Sequence, residues 1–342
     1  MSNRFVFGAS VILLLAAAWG YLFSYPAPPV DPAWEVPPAA DIPEGAVTVR
    51  YAGTATLLIS DGTTHWMTDG WFSRPGPLTT LFGDIEPDLG NISFGLDAMD
   101  VSELAAVIPV HSHYDHAMDS PEVARRTGAT VYGSEATANI CRGWDLPESQ
   151  IAVMSDGAPF QLGAFVITPI VSKHFQFPDP EMVQTMLVDS EIPEPLVPPT
   201  SAFDYKLGEA YILHVQHPLG SFLIVGSAGY IPGQLEGLDV DVIFMGAGGL
   251  GSQTPEYREQ YWAETVGRTD PERIILIHWD SLTGPLDAPM TGEVRIAGFL
   301  SAGADENKAF WAEKARLHPG QPMQTLPRFA EVVLFPSDSG SD

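Results

Sequence analysis

The sequence is poor in cysteine and in positive charge. Its 342 residues include one cysteine, Cys141, so an intrachain disulfide and a metal cluster of several thiolates are both excluded. Lysine and arginine total 16 against 43 acidic residues, which gives a formal net charge of −27 at pH 7. Such a surface repels polyanions, and this argues against nucleic acid or anionic lipid headgroups as primary partners. Hydrophobic residues make up 45% of the chain, which is typical of a folded protein rather than a disordered one.

Charge is also missing from residues 5–23, an apolar run that follows Arg4. At about 1.5 Å per residue, a helix of this length nearly spans a hydrocarbon core of roughly 30 Å. The run predicts either a transmembrane signal anchor or a signal peptide cleaved near the alanines at 16–18. Both interpretations predict export of the rest of the chain to the periplasmic or extracytoplasmic side. The anchor would also attach the protein to the membrane through residues 5–23.

The chain divides into three parts. Residues 1–24 contain the apolar run, and residues 25–45 are rich in proline. Because proline fixes φ and removes a backbone donor, this second part is predicted to be a semi-stiff, extended spacer. Residues 46–342 are predicted to form one folded domain.

Short strands and helices alternate through the predicted domain. Early strands come in hairpins, and later strands alternate with capped helices, one of which is expected over residues 291–300. This order predicts an α/β fold, an αββα sandwich of two mixed β-sheets with outer helices. Residues 178–199 are rich in proline and acidic side chains, and are predicted to form a surface loop or lid.

Potential metal ligands are concentrated in one short run. His111, His113, Asp115 and His116 fall within six residues, directly after an apolar stretch at 105–110 that is predicted to be a buried strand. The end of a strand exposes side chains at the rim of a sheet, where ligands usually bind. Imidazole and carboxylate groups are zinc ligands, and three of them leave an open position for water. The run therefore predicts a site for one metal or for two adjacent metals.

This His-x-His-x-Asp-His pattern resembles the central motif of the metallo-β-lactamase superfamily, and the resemblance extends from about residue 47 to residue 335. It implies the αββα fold and two sets of metal ligands. The matching residues are His111, His113 and His174 for the first metal, and Asp115, His116 and His278 for the second. Asp69 matches an aspartate that supports the site from behind the ligands. The surroundings of Asp69 and His278 are similar to the branch that contains lactonases and phospholipase D-like enzymes.

One motif departs from the family pattern. Ser227 stands where the family usually has an aspartate that bridges two metals, and serine is a poor bridging ligand. The resemblance therefore implies two Zn²⁺ ions or a single metal, with iron and manganese not excluded. Asp280, two residues after His278, could orient a metal-binding imidazole or cap a turn.

The resemblance implies a metal-dependent hydrolase that uses a metal-bound hydroxide on an ester, lactone, amide or phosphodiester. Asp115 would hold the nucleophile and relay a proton to the leaving group. A small-molecule or lipid-derived substrate is expected, and no nucleic acid. Two alternatives remain: a mononuclear iron oxidoreductase of the sulfur-dioxygenase type, and a metal-binding envelope protein without catalysis.

Overall fold

The computed structural model describes residues 3–298 and 303–337, with side chains from Phe7 onward. Residues 299 and 300, the end of the helix predicted at 291–300, lie outside the described residues. Residues 291–297 of that prediction are turns and extended backbone rather than helix. Thr291 accepts a hydrogen bond from Ser281 N and Gly292 donates one to Pro26 O, so this stretch pairs with other segments instead of coiling on itself.

The first of two seven-stranded sheets is built from both ends of the folded domain. Its strands, in spatial order, are β16 (Val332–Phe335), β1 (Val47–Gly53), β2 (Thr56–Ser60), β3 (His65–Thr68), β5 (Ala106–Ile108), β6 (Thr130–Gly133) and β7 (Ile151–Val153). The pairs from β16 to β3 are antiparallel, and those from β3 to β7 are parallel. The sheet is therefore mixed, as predicted.

The second seven-stranded sheet has the same mixed character. Its strands, in spatial order, are β15 (Met323–Gln324), β14 (Arg273–Ile277), β13 (Val242–Gly246), β12 (Gly220–Val225), β11 (Ala210–His217), β9 (Phe165–Ser172) and β8 (Phe160–Leu162). β12 to β15 are parallel, and β8 to β12 are antiparallel. A small separate ladder pairs β4 (Asp84–Ile85) with β10 (Thr200–Ser201).

The two sheets pack face to face around one large core. Trp66 of β3 stacks on Phe222 of β12 with ring centroids 6.4 Å apart, and meets Phe165 of β9 edge-on. β13 and β14 are buried over almost their whole length, which explains their unbroken runs of apolar residues. Burial of this apolar surface, worth roughly 25 cal/mol per Å², is what holds the sandwich together.

Several of the helices cover the outer faces of the sheets. The helices of the described residues are α1 (Asn3–Leu22), α2 (Pro77–Phe82), α3 (Leu89–Ala98), α4 (Tyr114–Ala117), α5 (Ser120–Thr127), α6 (Glu135–Gly143), α7 (Pro180–Val183), α8 (Pro255–Glu264), α9 (Val266–Thr269) and α10 (Ala304–Leu317). α3, α5 and α6 contribute Ile92, Val123 and Cys141 to a second core cluster on the outer side of the first sheet. The layers are thus helix, sheet, sheet and helix, the predicted αββα sandwich.

The N-terminal helix requires a correction. In the part of the chain whose side chains the structure describes, no helix combines the length and apolar character that crossing a membrane requires. Leu22 O also accepts a hydrogen bond from Ile296 N at 2.8 Å, which ties the end of this helix to the domain. The transmembrane anchor and the membrane attachment predicted through residues 5–23 are therefore wrong; export by a cleaved leader stays a prediction.

The proline-rich segment at 25–45 is extended, but it packs against the rest of the chain. Val36 N donates to Thr325 O at 3.0 Å, and Thr325 N donates to Trp34 O at 2.9 Å. Val30 is buried in the main core. The segment thus runs along the domain instead of holding two parts of the protein at a distance.

Candidate metal centre

The predicted ligands come from loops and a short helix that follow strands of both sheets. His111 and His113 follow β5, and α4 begins immediately after them. His174 follows β9, and His278 follows β14. Strand ends from the two sheets thus meet at one rim of the sandwich, where residues far apart in sequence can share a site.

The first donor group consists of His111, His113 and His174. One ring nitrogen from each lies within 4.8 Å of the others. His111 Nε2 and His113 Nδ1 are 3.0 Å apart, a spacing at which the two nitrogens face one another. All three side chains are buried. The group has the donor types and the compactness of a three-ligand metal site.

In each ring of the first donor group, the nitrogen that points away from the other two rings, here called the outer nitrogen, lies next to a neutral group. His174 Nδ1 lies 2.8 Å from Phe175 O, and His113 Nε2 lies 3.2 Å from Met186 O. His111 Nδ1 lies 2.9 Å from Ser227 Oγ. A carbonyl can only accept, so the protons of His113 and His174 sit on these outer nitrogens. The nitrogens that face the other rings, here called the inner nitrogens, are then unprotonated and have a free lone pair, which a metal requires.

The second donor group consists of Asp115, His116 and His278. Asp115 Oδ2 lies 3.4 Å from His116 Nε2 and 3.3 Å from His278 Nε2, and the two imidazole nitrogens are 3.2 Å apart. Asp115 and His116 are buried, whereas His278 keeps 14% of its side chain exposed. This group resembles the first in compactness but contains a carboxylate.

Asp69 supports the second group from behind. Its Oδ2 accepts a hydrogen bond from His116 Nδ1 at 2.7 Å, and its Oδ1 accepts one from Val110 N at 2.9 Å. The first contact leaves Nε2 of His116 free to act as the ligand atom. The second contact fixes the backbone just before His111, so one carboxylate orients parts of both groups.

The two groups differ in their protonation. Burial and the neighbouring imidazoles lower the pKa of His111, and burial lowers the pKa of His113 to about 4. Burial likewise lowers the pKa of His174. Burial opposes protonation of His116 as well, but the carboxylates of Asp69 and Asp115 outweigh it and raise the pKa of His116. The imidazoles of the first group are therefore neutral near pH 7, whereas His116 tends to be an imidazolium, with protons on both ring nitrogens.

Asp115 remains ionised at neutral pH. Burial would raise the pKa of its carboxyl group, but the imidazoles of His116 and His278 outweigh burial and hold the pKa well below its ordinary value. A permanently ionised oxygen next to two imidazoles adds a formal negative charge to the second group. That charge favours a cation in this position.

Three residues of the site have left-handed backbone, which costs non-glycine residues about 1–3 kcal/mol each. φ is +56° at Asp69, +55° at His278 and +48° at Ala228, the residue after Ser227. His278 N donates to Thr54 O at 2.5 Å, a contact that holds the turn in place. Unfavourable backbone at three supporting positions is typical of a functional site, where surrounding contacts over-determine the geometry.

Ser227 and Asp280 lie close to the ligands but do not join either donor group. Ser227 contacts the outer nitrogen of His111 rather than the space between the groups. Asp280 Oδ1 accepts hydrogen bonds from Thr54 N at 2.7 Å and from Tyr51 OH at 2.8 Å. Tyr51 OH in turn accepts a hydrogen bond from His278 N at 3.2 Å. Asp280 therefore acts on the backbone of His278 through Tyr51.

Two supporting groups are not apparent from the sequence. Met186 lies in the segment predicted as a loop or lid, where α7 continues as a π-helical turn at 184–188, and its carbonyl orients His113. Asp119 accepts hydrogen bonds from Phe72 N and Ser73 N, which secures the loop after Asp69. The position of Asp119, three residues after His116, is a weak sequence signal for its role. The carbonyl of Met186 has no sequence signal at all.

A cavity opens onto both donor groups. His113, Asp115, His174 and His278 reach its surface. The rest of its lining is mostly apolar and comes from distant segments, among them Pro26, Pro29, Phe175, Phe177, Met182, Met186, Phe203, Trp279 and Leu282. Such a cavity suits a small molecule that brings one polar group to the ligands.

The chain is also similar to several known proteins. No family model matches the chain. A "UPF0173 metal-dependent hydrolase" of Myxococcus xanthus is 31% identical over 138 residues, which cover 40% of this chain and 42% of that relative. The match therefore spans less than half the length of the relative.

Two solved structures share the fold. An isothiocyanate hydrolase from Delia radicum gut bacteria has a TM-score of 0.50 at 13% identity, over 85% of this chain and 100% of that one. CmlA, a diiron β-hydroxylase from Streptomyces venezuelae, has a TM-score of 0.50 at 10% identity, over 85% of this chain and 54% of that one. These likenesses concern the fold alone, since one fold hosts several chemistries. The two mixed sheets and the two donor groups agree with what the resemblance of the motifs to the metallo-β-lactamase superfamily implies.

Proposed function

We propose that this protein is a metal-dependent hydrolase that binds two Zn²⁺ ions and cleaves an ester, lactone, amide or phosphodiester in a small molecule. The observation that carries the proposal is the pair of compact donor groups, 3.0 to 3.4 Å between facing ligand atoms. The outer nitrogens of His113 and His174 are engaged by acceptors, so their inner nitrogens are available to a cation. His116 Nδ1 is held by Asp69, and its Nε2 becomes available once it releases its proton. The hydrolase name of the Myxococcus xanthus relative supports the same reaction class.

The residues present fit zinc. Each group supplies three donors, which leaves one position of a tetrahedral site open. A bound divalent cation supplies an activated water at neutral pH and polarises the oxygen of the bond that is attacked. Thiolates, which soft metals prefer, are missing from both groups.

Asp115 is the proposed acid–base residue. Its carboxylate reaches the cavity beside His278 and stays ionised, because both imidazoles of its group hold its pKa low. It can orient the attacking water, take up the proton of that water as the new bond forms, and donate the same proton to the leaving group as the old bond breaks. The apolar lining around it limits the entry of other water molecules.

The experiment is metal analysis of the purified full chain joined to a substrate panel. Two zinc ions per chain are expected, with turnover of at least one ester, lactone, amide or phosphodiester. His113→Ala and Asp115→Asn should lose turnover while circular dichroism and melting remain those of a folded protein. His65→Ala is the matched control, because His65 is exposed at the start of β3 and belongs to neither group. It should behave as wild type.

Other outcomes would contradict the proposal in distinct ways. Iron together with oxygen consumption would indicate an oxidoreductase instead. Metal that raises the melting temperature without turnover of any class in the panel would indicate a metal-binding protein that is not a hydrolase. Full activity in both purified ligand variants would overturn the roles of His113 and Asp115.

A further inference from the structure

The stretch of chain at residues 24–30, here called the wall segment, lies against the domain beside the cavity. Gly292 N donates a hydrogen bond to Pro26 O at 2.9 Å, and Arg295 N donates one to Ser24 O at 3.2 Å. Tyr25 OH donates to Thr283 O at 3.0 Å. Val30, at the end of the segment, is 3% exposed and belongs to the main core. The wall segment is thus fixed at both ends and in its middle.

The wall segment also lines the cavity that the metal ligands reach. Pro26, Ala27 and Pro29 line the same cavity as His113 and His278. Other lining residues come from the 175–203 stretch, which supplies aromatic and methionine side chains (Phe175, Phe177, Met182, Met186 and Phe203). The cavity is therefore bounded by two apolar surfaces from different parts of the chain, in addition to the ligands.

The chemistry of the wall segment restricts what it can bind. Pro26 and Pro29 have no backbone N–H, so they offer a substrate rings and carbonyls but no hydrogen-bond donor. Fixed φ angles also make the surface rigid, so it can select by shape without losing much conformational entropy on binding. An apolar group fits such a surface better than a charged or donor-seeking one.

We infer that the wall segment is a specificity determinant of the metal centre, and that the substrate carries an apolar group that packs against Pro26, Pro29 and the apolar side chains of the 175–203 stretch. This inference rests on the proposed hydrolase function for its substrate. The wall itself can be tested by binding alone, because the carboxylate of a fatty acid can bind to zinc held by the donor groups while its alkyl chain extends into the cavity that the wall segment lines.

The test compares acyl chain lengths in the zinc-loaded full chain. Affinities for acetate and octanoate are measured by calorimetry, and kcat/KM is measured for acetyl and octanoyl esters of 4-nitrophenol. The wild type should prefer the eight-carbon members of both pairs. Pro29→Ala should reduce that preference by about ten-fold, the lower end of what one methylene is worth in an apolar pocket. Pro28→Ala is the matched control, because Pro28 is not part of the cavity lining.

A second pair of variants, one test and one control, leaves the residues of the wall segment unchanged. A Cβ at Gly292 would lie 2.9 Å from Ala27 O, so Gly292→Ala should displace the segment and change the octanoate-to-acetate ratio. Gly320→Ala is the control, since a Cβ there meets nothing within 4 Å. Zinc content should stay the same in all four variants.

The outcomes separate this inference from the hydrolase proposal. If no member of the ester, lactone, amide and phosphodiester panel is turned over but octanoate binding depends on Pro29, the hydrolase proposal fails and the wall stands. If esters are hydrolysed but Pro29→Ala and Pro28→Ala change both chain lengths equally, the wall inference is overturned and the hydrolase stands. Equal affinities for acetate and octanoate in the wild type would also overturn it.

Discussion

The two donor groups are similar in size but differ in charge, because only the second contains and adjoins carboxylates. The first group is three imidazoles, and the partners behind them are the neutral oxygens of Ser227, Met186 and Phe175. The second group contains the carboxylate of Asp115, and a further carboxylate, Asp69, stands behind His116. Neutral surroundings let burial lower the histidine pKa values in the first group, whereas the carboxylates reverse that effect at His116.

This difference separates two ways of preparing a site for a cation. The first group is ready because its imidazoles are already deprotonated at neutral pH. The second group attracts a cation through its charge, but His116 must first release a proton. Without an aspartate at position 227, Asp115 is the one carboxylate among the six donors. Four measurements test the difference between the groups.

The largest effect is expected from two single variants, each of which removes one ligand residue from one of the groups. Both His174→Ala and His278→Ala should reduce bound zinc from two ions to one, because a group with two donors holds a metal poorly. Turnover of any substrate identified should fall by on the order of 10³-fold, since a metal ion stabilises the transition state by several kcal/mol. Metal analysis after dialysis and kcat/KM measure the two effects. Retention of two tightly bound ions in either variant would contradict the division into two groups.

The next effect comes from the carboxylate behind His116. Asp69→Asn keeps an oxygen for Val110 N but turns an amide N–H toward His116 Nδ1, where the two donors repel. Loss of such a supporting partner typically weakens metal affinity by about 10- to 100-fold. The loss should appear in the second group alone when zinc is titrated against a chelator. Equal weakening of both groups would mean that Asp69 acts mainly through Val110.

The pH dependence of metal binding should also differ between the groups. Zinc must displace a proton from His116, whose pKa is raised, so the affinity of the second group should fall as pH drops through that pKa. The first group should be nearly independent of pH between 5.5 and 8, because the pKa of His113 is about 4 and those of His111 and His174 are also lowered. His278→Ala isolates the first group for this chelator titration, and His174→Ala isolates the second. Parallel pH profiles in the two variants would contradict the comparison.

The smallest effect is expected from Ser227→Ala. The hydroxyl lies 2.9 Å from His111 Nδ1, and a hydrogen bond of this kind contributes about 1 kcal/mol. Zinc affinity of the first group should therefore fall by about five-fold, with the second group unchanged. Ser93→Ala, an exposed serine of α3 that bonds Leu89 O, serves as the control. A loss of the second ion in Ser227→Ala would instead make Ser227 part of the second group.

The donor residues could be predicted because much of their pattern is local. His111, His113, Asp115 and His116 are consecutive or alternate, and they follow an apolar strand. The supporting contacts are not local. Met186 reaches His113 across 73 positions of the chain, through a carbonyl that every residue possesses. No residue type signals such a contact, so it appears only when the chain is folded.

The fold shows the same division between local and distant causes. The buried strands β13 and β14 are evident in the sequence from their apolar runs. The sandwich follows from the number and order of all the predicted strands and helices. α3 is not evident, because Gly90 and Gly95 weaken its helical pattern. A Cβ at Gly95 would lie 2.1 Å from the ring of Phe72, so close packing requires the glycine. Tertiary packing thus overrides helix propensity there.

The docking of the proline-rich segment determines where the protein can be shortened. Composition suggests that a chain starting at residue 46 would be a complete domain. Such a chain would lack Val30 from the main core, the Trp34 and Val36 pairings with Thr325, and the Pro26–Pro29 side of the cavity. It would still contain all six donors and could bind metal. A shortened protein could therefore pass every test of folding and metal content and yet report the substrate range of a different, more open enzyme.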